Sequence, residues 1–325
     1  MGETLLSVRD LVTEFPTAKG PARAVDHVSF DLQRGEILGL VGESGSGKSV
    51  TGFSILGLVE PPGRVAGGKV FFNGQDLLTL PVEAMRQLRG NRIAMIFQDP
   101  MMTLNPVLRI DTQMIETLQA HSDISRDAAR ARSREVLAKV GIPSPDERLL
   151  CYPHQLSGGM RQRVAIAIAL LLDPDLIIAD EPTTALDVTI QAQILFEVQN
   201  LCRVTGTALI WISHDLGVVG GLADRIAVMY AGRIVELGPT DSTLASPLHR
   251  YTEGLLHSLP GRNRRGERLR QISGMTPALI DLPKGCAFAP RCAQADGACE
   301  ARPPLVDFPG QRQAACFHPV AVEAL

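Results

Sequence analysis

Eight consecutive residues have the types and spacing that bind the phosphates of a nucleotide. They read GESGSGKS, after an apolar run that predicts a strand and before a helical pattern. Glycines let backbone N–H groups turn toward phosphates, and the helix start adds its positive dipole end. Lys48 would reach the β- and γ-phosphates, and the Ser49 hydroxyl would ligate Mg²⁺. The candidate phosphate-binding residues are Gly42, Glu43, Ser44, Gly45, Ser46, Gly47, Lys48, Ser49 and Val50.

A second candidate site is acidic. Asp180 ends the apolar run Leu176–Asp180, and Glu181 follows it directly. A carboxylate at the C-terminal end of a buried strand suits Mg²⁺ coordination. Glu181 stands one residue further, where a base can polarise an attacking water. Together with the phosphate-binding loop, this pair predicts nucleotide hydrolysis.

Four of the six cysteines are concentrated near the C-terminus. A reducing cytosol argues against disulfides, so these four predict a metal site or no site. Their spacing is not the paired C-x₂-C of common zinc ribbons, and His318 is a spare ligand that would suit zinc. The four are Cys286, Cys292, Cys299 and Cys316, whereas Cys151 and Cys202 stand apart and are expected to be inert.

The composition is that of a packed globular protein. The chain has 325 residues, of which 45% are hydrophobic and 21% charged, and its net charge of −3 gives no basic field for nucleic acid. The longest apolar run, Val164 to Leu172, is too short to span a bilayer. The first residues show no secretory signal, and Leu6 breaks a myristoylation pattern at Gly2. The sequence therefore predicts a cytosolic protein without a membrane span.

Apolar runs alternate with helical patterns, which is typical of an α/β fold with a mostly parallel sheet. A hairpin is expected where Ala231 and Gly232 join two runs, and a capped surface helix is expected over Ser125–Gly141. The Arg-rich segment Gly261–Arg270 lacks aromatic residues and favours a solvated linker. The predicted strands are Glu36–Val41, Ile93–Phe97, Leu176–Asp180, Ala208–Ser213, Arg225–Tyr230 and Arg233–Gly238.

Four further motifs resemble those of the ATP-binding-cassette (ABC) ATPases. LSGGMRQR, from Leu156 to Arg163, looks like their signature, and Gln98 in IFQDP resembles their glutamine loop. Asp187 in TALD and His214 in WISHD resemble their D-loop and switch histidine. The resemblance covers about residues 5–240. It implies a P-loop NTPase (RecA-like) core with an ABC-type antiparallel β subdomain and a helical signature subdomain, plus a small cysteine-rich C-terminal extension.

The resemblance also implies a role for each motif. Ser49, Gln98 and Asp180 would hold Mg²⁺, and His214 would contact the γ-phosphate. Phe15 occupies the place where the family stacks an aromatic ring on adenine. The signature would close over ATP held by an opposing subunit, so the site would be composite. Its expected contact residues are Ser157, Gly158 and Gly159.

Met160 departs from the commonest signature, which has Gln there, and resembles the ATPases of dipeptide, oligopeptide and nickel importers. This subgroup implies ATP-driven import of peptides, with nickel or another small solute as the alternative. It implies a second, similar ATPase subunit, two permease subunits and an extracytoplasmic binding protein, with the chain peripheral on the cytoplasmic face of the inner (plasma) membrane. A soluble ABC ATPase of DNA repair or translation is the rival, which a single cassette and an acidic balance disfavour.

The cysteine tail resembles that of the same importer ATPases, some of which hold a [4Fe–4S] cluster. The resemblance implies that Cys286, Cys292, Cys299 and Cys316 ligate such a cluster, with Zn²⁺ as the alternative. The domain boundaries expected are 1–240 for the ATPase, with a helical insertion at about 99–160. A helical connection and linker follow over 241–273, and the cysteine-rich extension over 274–325.

Overall fold

A computed structural model of the chain describes residues 3–183, 188–259, 261, 263 and 271–320. Its strands are β1 (Thr4–Thr17), β2 (Gly20–Gln33), β3 (Ile37–Val41), β4 (Arg64–Phe72), β5 (Gln75–Asp76), β6 (Ile93–Ile96), β7 (Leu176–Asp180), β8 (Ala208–Ser213), β9 (Arg225–Tyr230), β10 (Arg233–Pro239), β11 (Val306–Phe308) and β12 (Arg312–Ala314).

The α-helices are mostly short and connect the strands. They are α1 (Lys48–Ile55), α2 (Val82–Leu88), α3 (Pro100–Thr103), α4 (Ile110–Gln119), α5 (Arg126–Lys139), α6 (Pro145–Leu149), α7 (Gly158–Leu170), α8 (Val188–Thr205), α9 (Leu216–Gly220), α10 (Thr240–Ala245) and α11 (Arg250–His257). Short 3₁₀ turns occupy Leu77–Thr79, Pro153–Gln155, Ala289–Arg291 and Gly297–Glu300.

The chain forms two compact units. The phosphate-loop unit comprises Thr4–Leu32, Ile37–Leu78 and Ile212–Leu325. The signature unit is formed mainly by Thr79–Trp211, together with Gln33–Glu36. The boundary between the two falls within β8.

The phosphate-loop unit contains an antiparallel sheet in the order β2-β1-β4-β5. It also contains β3, which runs parallel to β9, followed by the antiparallel neighbours β10, β12 and β11. All five residues of β3 are buried, which explains why this strand reads as a continuous apolar run. The antiparallel sheet agrees with the expected β subdomain.

The signature unit places β6 parallel to β7, with β8 next to β7. Helices α3 to α6 lie within the segment expected as a helical insertion, and α7 begins at the end of that segment. The cap expected for the surface helix is present, because Ser125 Oγ accepts a hydrogen bond from the Ala128 N–H at 3.3 Å. Near-continuous apolar strands and capped helices therefore formed where the sequence pattern predicted them.

Each predicted strand agrees with an observed strand to within one residue at each end. The runs that begin at Leu176, Ala208 and Arg225 match the observed strands at both ends. The expected hairpin is present, since Tyr230 pairs with Arg233 across Ala231 and Gly232. Within the residues that the structure describes, no helix is both long enough and apolar enough to cross a membrane.

Candidate functional site

The phosphate loop follows β3 and wraps around the side chain of Lys48. Lys48 is buried, and its Nζ donates hydrogen bonds to the carbonyl oxygens of Gly42 at 2.8 Å and Glu43 at 3.0 Å. It also lies 3.4 Å from Ser46 Oγ. The ammonium group is therefore held inside the concave side of the loop, where it can attract a polyphosphate.

Two glycines of this loop are required by close backbone approaches. Gly47 has a φ of 100°, and a Cβ there would lie 2.2 Å from the Ala24 carbonyl oxygen. A Cβ on Gly42 would lie 2.2 Å from the Met229 carbonyl oxygen. Only glycine fits these positions without moving the backbone. Helix α1 begins at Lys48, so Ser49 and Val50 lie in its first turn, as the motif predicts.

The adenine-stacking candidate, Phe15, lies on β1 in the same unit and is partly exposed. Its ring packs against Gly63, where a Cβ would come within 2.4 Å of the ring. A side chain at position 63 would therefore collide with the Phe15 ring. His214 follows β8 directly and is exposed. Asp215, the next residue, caps α9, because its side chain accepts hydrogen bonds from the N–H groups of Gly217 and Val218.

The acidic candidates lie in the signature unit at the end of β7. Asp180 is buried as the last residue of that strand. Glu181 has a positive φ of 44°, which is uncommon for a residue with a side chain. Gln98 Nε2 lies 3.4 Å from Glu181 Oε2, so the structure brings these two predicted residues together. Strained backbone of this kind is often found at functional sites.

The signature residues form the start of α7. Ser157 is the N-cap, and its Oγ accepts a hydrogen bond from the Met160 N–H at 3.3 Å. Ser157 and Gly158 are exposed, whereas Gly159 is partly buried. An exposed helix start with a hydroxyl and unobstructed backbone can receive an anion. Asp187, predicted for the D-loop, lies outside the described residues.

The four tail cysteines lie in one short region of the phosphate-loop unit, and their thiols are free. Burial raises the pKa of Cys286, and the nearby charges of Cys299 and Cys316 raise it further. Burial likewise raises the pKa of Cys316, with a contribution from Cys292. The four sulfur atoms are therefore close enough to interact electrostatically.

One further set of ligands lies beside the cysteines. Ligand atoms of Asp296, Cys299 and His318 lie within 4.8 Å of one another, and His318 Nε2 is 2.8 Å from Asp296 Oδ1. Carboxylate, thiolate and imidazole suit a zinc ion. The spare histidine noted in the sequence is thus close to Cys299, whereas Asp296 was not foreseen.

The sequence also missed a cluster that joins the tail to the phosphate loop. The Glu43 carboxylate accepts hydrogen bonds from Arg291 and Thr276, and the Glu43 N–H donates to the Tyr251 hydroxyl at 2.8 Å. The Arg291 hydrogen bonds lower the pKa of Glu43 despite its partial burial. Arg291 lies 248 positions from Glu43, and no signal in one sequence relates residues so distant.

Comparisons with known proteins show the family to which this chain belongs. The family described as "ABC transporter" matches residues 25–184. The family described as "Oligopeptide/dipeptide transporter, C-terminal region" matches residues 235–299, which include the first half of the tail. The chain is 48% identical to the oligopeptide transport ATP-binding protein OppD of Escherichia coli, over 98% of this chain and 94% of that protein. It is 50% identical to the dipeptide transport ATP-binding protein DppD of Bacillus subtilis, over 92% and 89%.

Solved structures share the fold. A dimeric, post-hydrolysis structure of the ATP-binding cassette MJ0796 with ADP and phosphate matches with a TM-score of 0.66 at 26% identity. The match covers 73% of this chain and 99% of that cassette. The phosphate loop, the acidic strand end and the signature helix thus occur in a chain that resembles transporter ATPases over nearly its whole length. The chain belongs to the ABC transporter ATPases, in the oligopeptide and dipeptide transporter family.

Proposed function

We propose that this chain is the subunit that hydrolyses ATP to drive import of oligopeptides or dipeptides. The observation that carries the proposal is the near-complete match to peptide-transport ATP-binding proteins, including the separate match of the C-terminal region. ATP chemistry by itself does not identify a substrate, so the peptide assignment rests on these relatives.

Each site residue would have a separate role in binding or hydrolysing ATP. Lys48 and the loop N–H groups would neutralise the phosphates, and Phe15 would stack on the adenine. Ser49, Asp180 and Gln98 would hold Mg²⁺, which supplies electrostatic stabilisation of the transferred phosphoryl group. Glu181 would orient and deprotonate the attacking water, and its carboxylate is held near Gln98. His214 would contact the γ-phosphate.

The signature helix would act on a second subunit. Ser157, Gly158 and Gly159 would close over ATP held by the partner. The exposed start of α7 supports this role. We propose that the partner is a similar but different ATPase, and that two permease subunits and an extracytoplasmic binding protein complete the importer. The chain would then lie on the cytoplasmic face of the membrane.

The surface next to Gln98 supports contact with a permease. Helix α3 follows Gln98 within two residues, and Met101 on that helix is exposed. Val107, a few residues further, is 74% exposed. Apolar side chains exposed beside a nucleotide-sensing residue would pack against a permease helix and transmit closure of the ATPases.

The peptide assignment is tested by reconstituting the chain with the permeases and ATPase encoded beside it, in proteoliposomes. We expect peptide uptake that requires ATP, with no uptake of ⁶³Ni²⁺. Nickel uptake without peptide uptake would contradict the proposal. Lys48→Ala should abolish both ATP binding by calorimetry and peptide uptake. Lys69→Ala, an exposed lysine on β4, is the matched control and should retain both.

We also propose that the tail holds a [4Fe–4S] cluster on Cys286, Cys292, Cys299 and Cys316. Four thiols fit the donor set that such a cluster requires, and three of them perturb one another electrostatically around Cys286. A single zinc ion on Asp296, Cys299 and His318 is the alternative. When bound, either group would cross-link the tail and add folding free energy.

Metal analysis distinguishes the two. Anaerobically purified protein should be brown and contain about four irons per chain. Cys292→Ser should lose the iron, whereas Cys151→Ser, outside the tail, should keep it. Colourless protein with one zinc that is lost in His318→Ala would contradict the cluster and favour the zinc site.

A further inference from the structure

The C-terminal tail makes a charged contact with the phosphate loop. Arg291 Nη1 lies 2.6 Å from Glu43 Oε2, and Arg291 Nη2 lies 3.0 Å from Glu43 Oε1. Thr276 donates a third hydrogen bond to Oε2 at 2.8 Å. The Arg291 side chain is only 5% exposed. A bidentate, largely desolvated pair of this kind is among the stronger side-chain interactions.

Other contacts of Arg291 hold its guanidinium in place. Its Nε donates to the Ser273 carbonyl at 3.0 Å, and its Nη1 lies 3.4 Å from the Tyr230 hydroxyl. The guanidinium lies 5.8 Å from the Tyr230 ring centroid and 6.0 Å from that of Phe288. The cation is therefore oriented by groups other than Glu43.

Glu43 is also connected to the rest of the loop. Its N–H donates to the buried Tyr251 hydroxyl, and its carbonyl accepts from Lys48 Nζ. The ring of Tyr251 packs against those of Tyr230 and Phe288, with centroids 4.6 and 5.5 Å away. One residue of the loop is thus fixed through its side chain and its amide by the aromatic cluster and the tail.

A carboxylate on a triphosphate-binding loop poses an electrostatic problem. An unpaired negative charge there would repel the phosphates, and the repulsion is strong where water is partly excluded. Arg291 removes this repulsion because it pairs with both carboxylate oxygens. An arginine suits the task, since its planar fork matches a carboxylate and it stays charged.

We propose that Arg291 is a positioning residue of the nucleotide site, which neutralises Glu43 and thereby makes ATP affinity depend on the cysteine-rich tail. The inference rests on the proposed ATP-binding role of the phosphate loop. It deepens that role by naming a residue, distant in sequence, through which the tail regulates the loop.

The cysteines are placed to control Arg291. Arg291 ends the 3₁₀ turn Ala289–Arg291, which lies between Cys286 and Cys292. The Ala289 N–H donates to the Cys286 carbonyl at 3.1 Å, and the Cys292 N–H donates to the Ala289 carbonyl at 3.2 Å. A change in the ligation of either cysteine would therefore shift the turn that carries the guanidinium.

Calorimetric titration of the full chain with a non-hydrolysable ATP analogue and Mg²⁺ tests the proposal. We expect Arg291→Ala to weaken binding about tenfold at low salt, with a smaller loss at high salt. Glu43→Gln should tighten binding about threefold, because it leaves the cation uncompensated near the phosphates. The double variant Glu43→Gln/Arg291→Ala should recover most of the affinity lost in Arg291→Ala.

The control is Arg302→Ala, which removes another tail arginine, paired with Asp26 and 47% exposed. It should bind with wild-type affinity. A purely structural role for Arg291 predicts no rescue in the double variant, and that result would overturn the proposal. If circular dichroism shows that Arg291→Ala does not fold, the ATP affinities of Arg291→Lys and Glu43→Gln test the proposal instead. An ATP affinity of Glu43→Gln at or below that of the wild type contradicts the electrostatic role.

Lys48→Ala separates this inference from the proposed function. Loss of binding in Lys48→Ala, with unchanged binding in Arg291→Ala, contradicts only the role of Arg291. Retained binding in Lys48→Ala contradicts the phosphate loop itself as the nucleotide site.

Discussion

At the scale of single residues, Glu181 combines strained backbone with the side chain that we propose as the base. Glu181 directly follows the last residue of β7 and has a φ of 44°. Its carboxylate lies 3.4 Å from the Gln98 amide. A residue in this conformation costs about 1–3 kcal/mol and persists only where the surrounding structure imposes it. We expect this backbone conformation to set the position of the base.

Glu181→Gln should keep ATP binding and lose most turnover. The amide preserves shape but cannot accept a proton, so hydrolysis in the assembled complex should fall by roughly 10²–10⁴. Steady-state phosphate release measures the loss, and calorimetry measures retained binding. Glu83→Gln, on the exposed face of α2, is the control. Near-normal turnover in Glu181→Gln would remove Glu181 as the base.

The second prediction for a single residue concerns His249 and the dependence of stability on pH. Burial lowers its pKa to about 4 from the ordinary 6.5. Its Nδ1 accepts the Tyr251 N–H at 3.0 Å, which requires the neutral ring at that nitrogen. Since folding favours the neutral form, the stabilisation is complete above pH 6.5 and is lost as the pH falls toward 4.

His249→Asn should flatten this pH dependence. Asparagine preserves the helix cap of α11 but does not titrate. Between pH 6.5 and 4, the wild type should lose on the order of 3 kcal/mol of unfolding free energy more than the variant. Urea denaturation at several pH values measures the difference. Parallel pH profiles for the two proteins would contradict the assignment.

At the scale of elements, the tail is attached by strand addition. Strand β12 pairs with β10, with Glu236 opposite Ala314. Glu236 is fully buried and accepts hydrogen bonds from the N–H groups of Leu248 and His249 and from Arg312, which is 7% exposed on its side chain. A bound metal alone is not needed to explain the order of the tail. The structure supplies backbone pairing and a buried ion pair as well.

Removing one member of this buried pair should be costly. Arg312→Ala leaves the Glu236 carboxylate without its cation, and we expect a loss of about 3–5 kcal/mol in unfolding free energy. Glu236→Gln/Arg312→Met should recover much of it, because neither charge remains buried. Arg86→Ala, which breaks an exposed pair with Glu83, should change stability little. Chemical denaturation compares the three, and equal effects of Arg312→Ala and Arg86→Ala would contradict the argument.

At the scale of the whole molecule, the exposed start of the signature helix is the feature on which we base the proposal that two ATPase subunits pair. A helix start that can bind an anion is exposed at Ser157 and Gly158. The cassette MJ0796, which shares the fold, was solved as a dimer. We therefore expect each ATP to be enclosed by residues of two subunits.

The isolated chain should hydrolyse ATP poorly. Adding the partner ATPase and the permeases should raise turnover, because only the assembly completes a composite site. Phosphate release at increasing partner concentration, with the monomer verified by light scattering, measures this. High turnover from a verified monomer would contradict the composite site.

The sequence alone was sufficient to predict the features that arise from short-range patterns. Buried strands were visible as continuous apolar runs, and the cap of α5 as a serine before a helical pattern. The phosphate loop from Gly42 to Ser49 was recognisable because glycines stand at the positions where other backbone atoms come close. These features depend on residues only a few positions apart in the chain. A single sequence is therefore enough to predict them.

Tertiary structure decided the contacts between distant segments. Strand β12 is only three residues long and has no strand pattern of its own, because it forms on the free edge of β10 around the buried charge of Glu236. Arg291 reaches Glu43 where Phe288 of the tail packs against Tyr230 and Tyr251. Such pairings depend on packing across the folded chain rather than on local periodicity, and so no pattern in the sequence predicted that the tail would contact the phosphate loop.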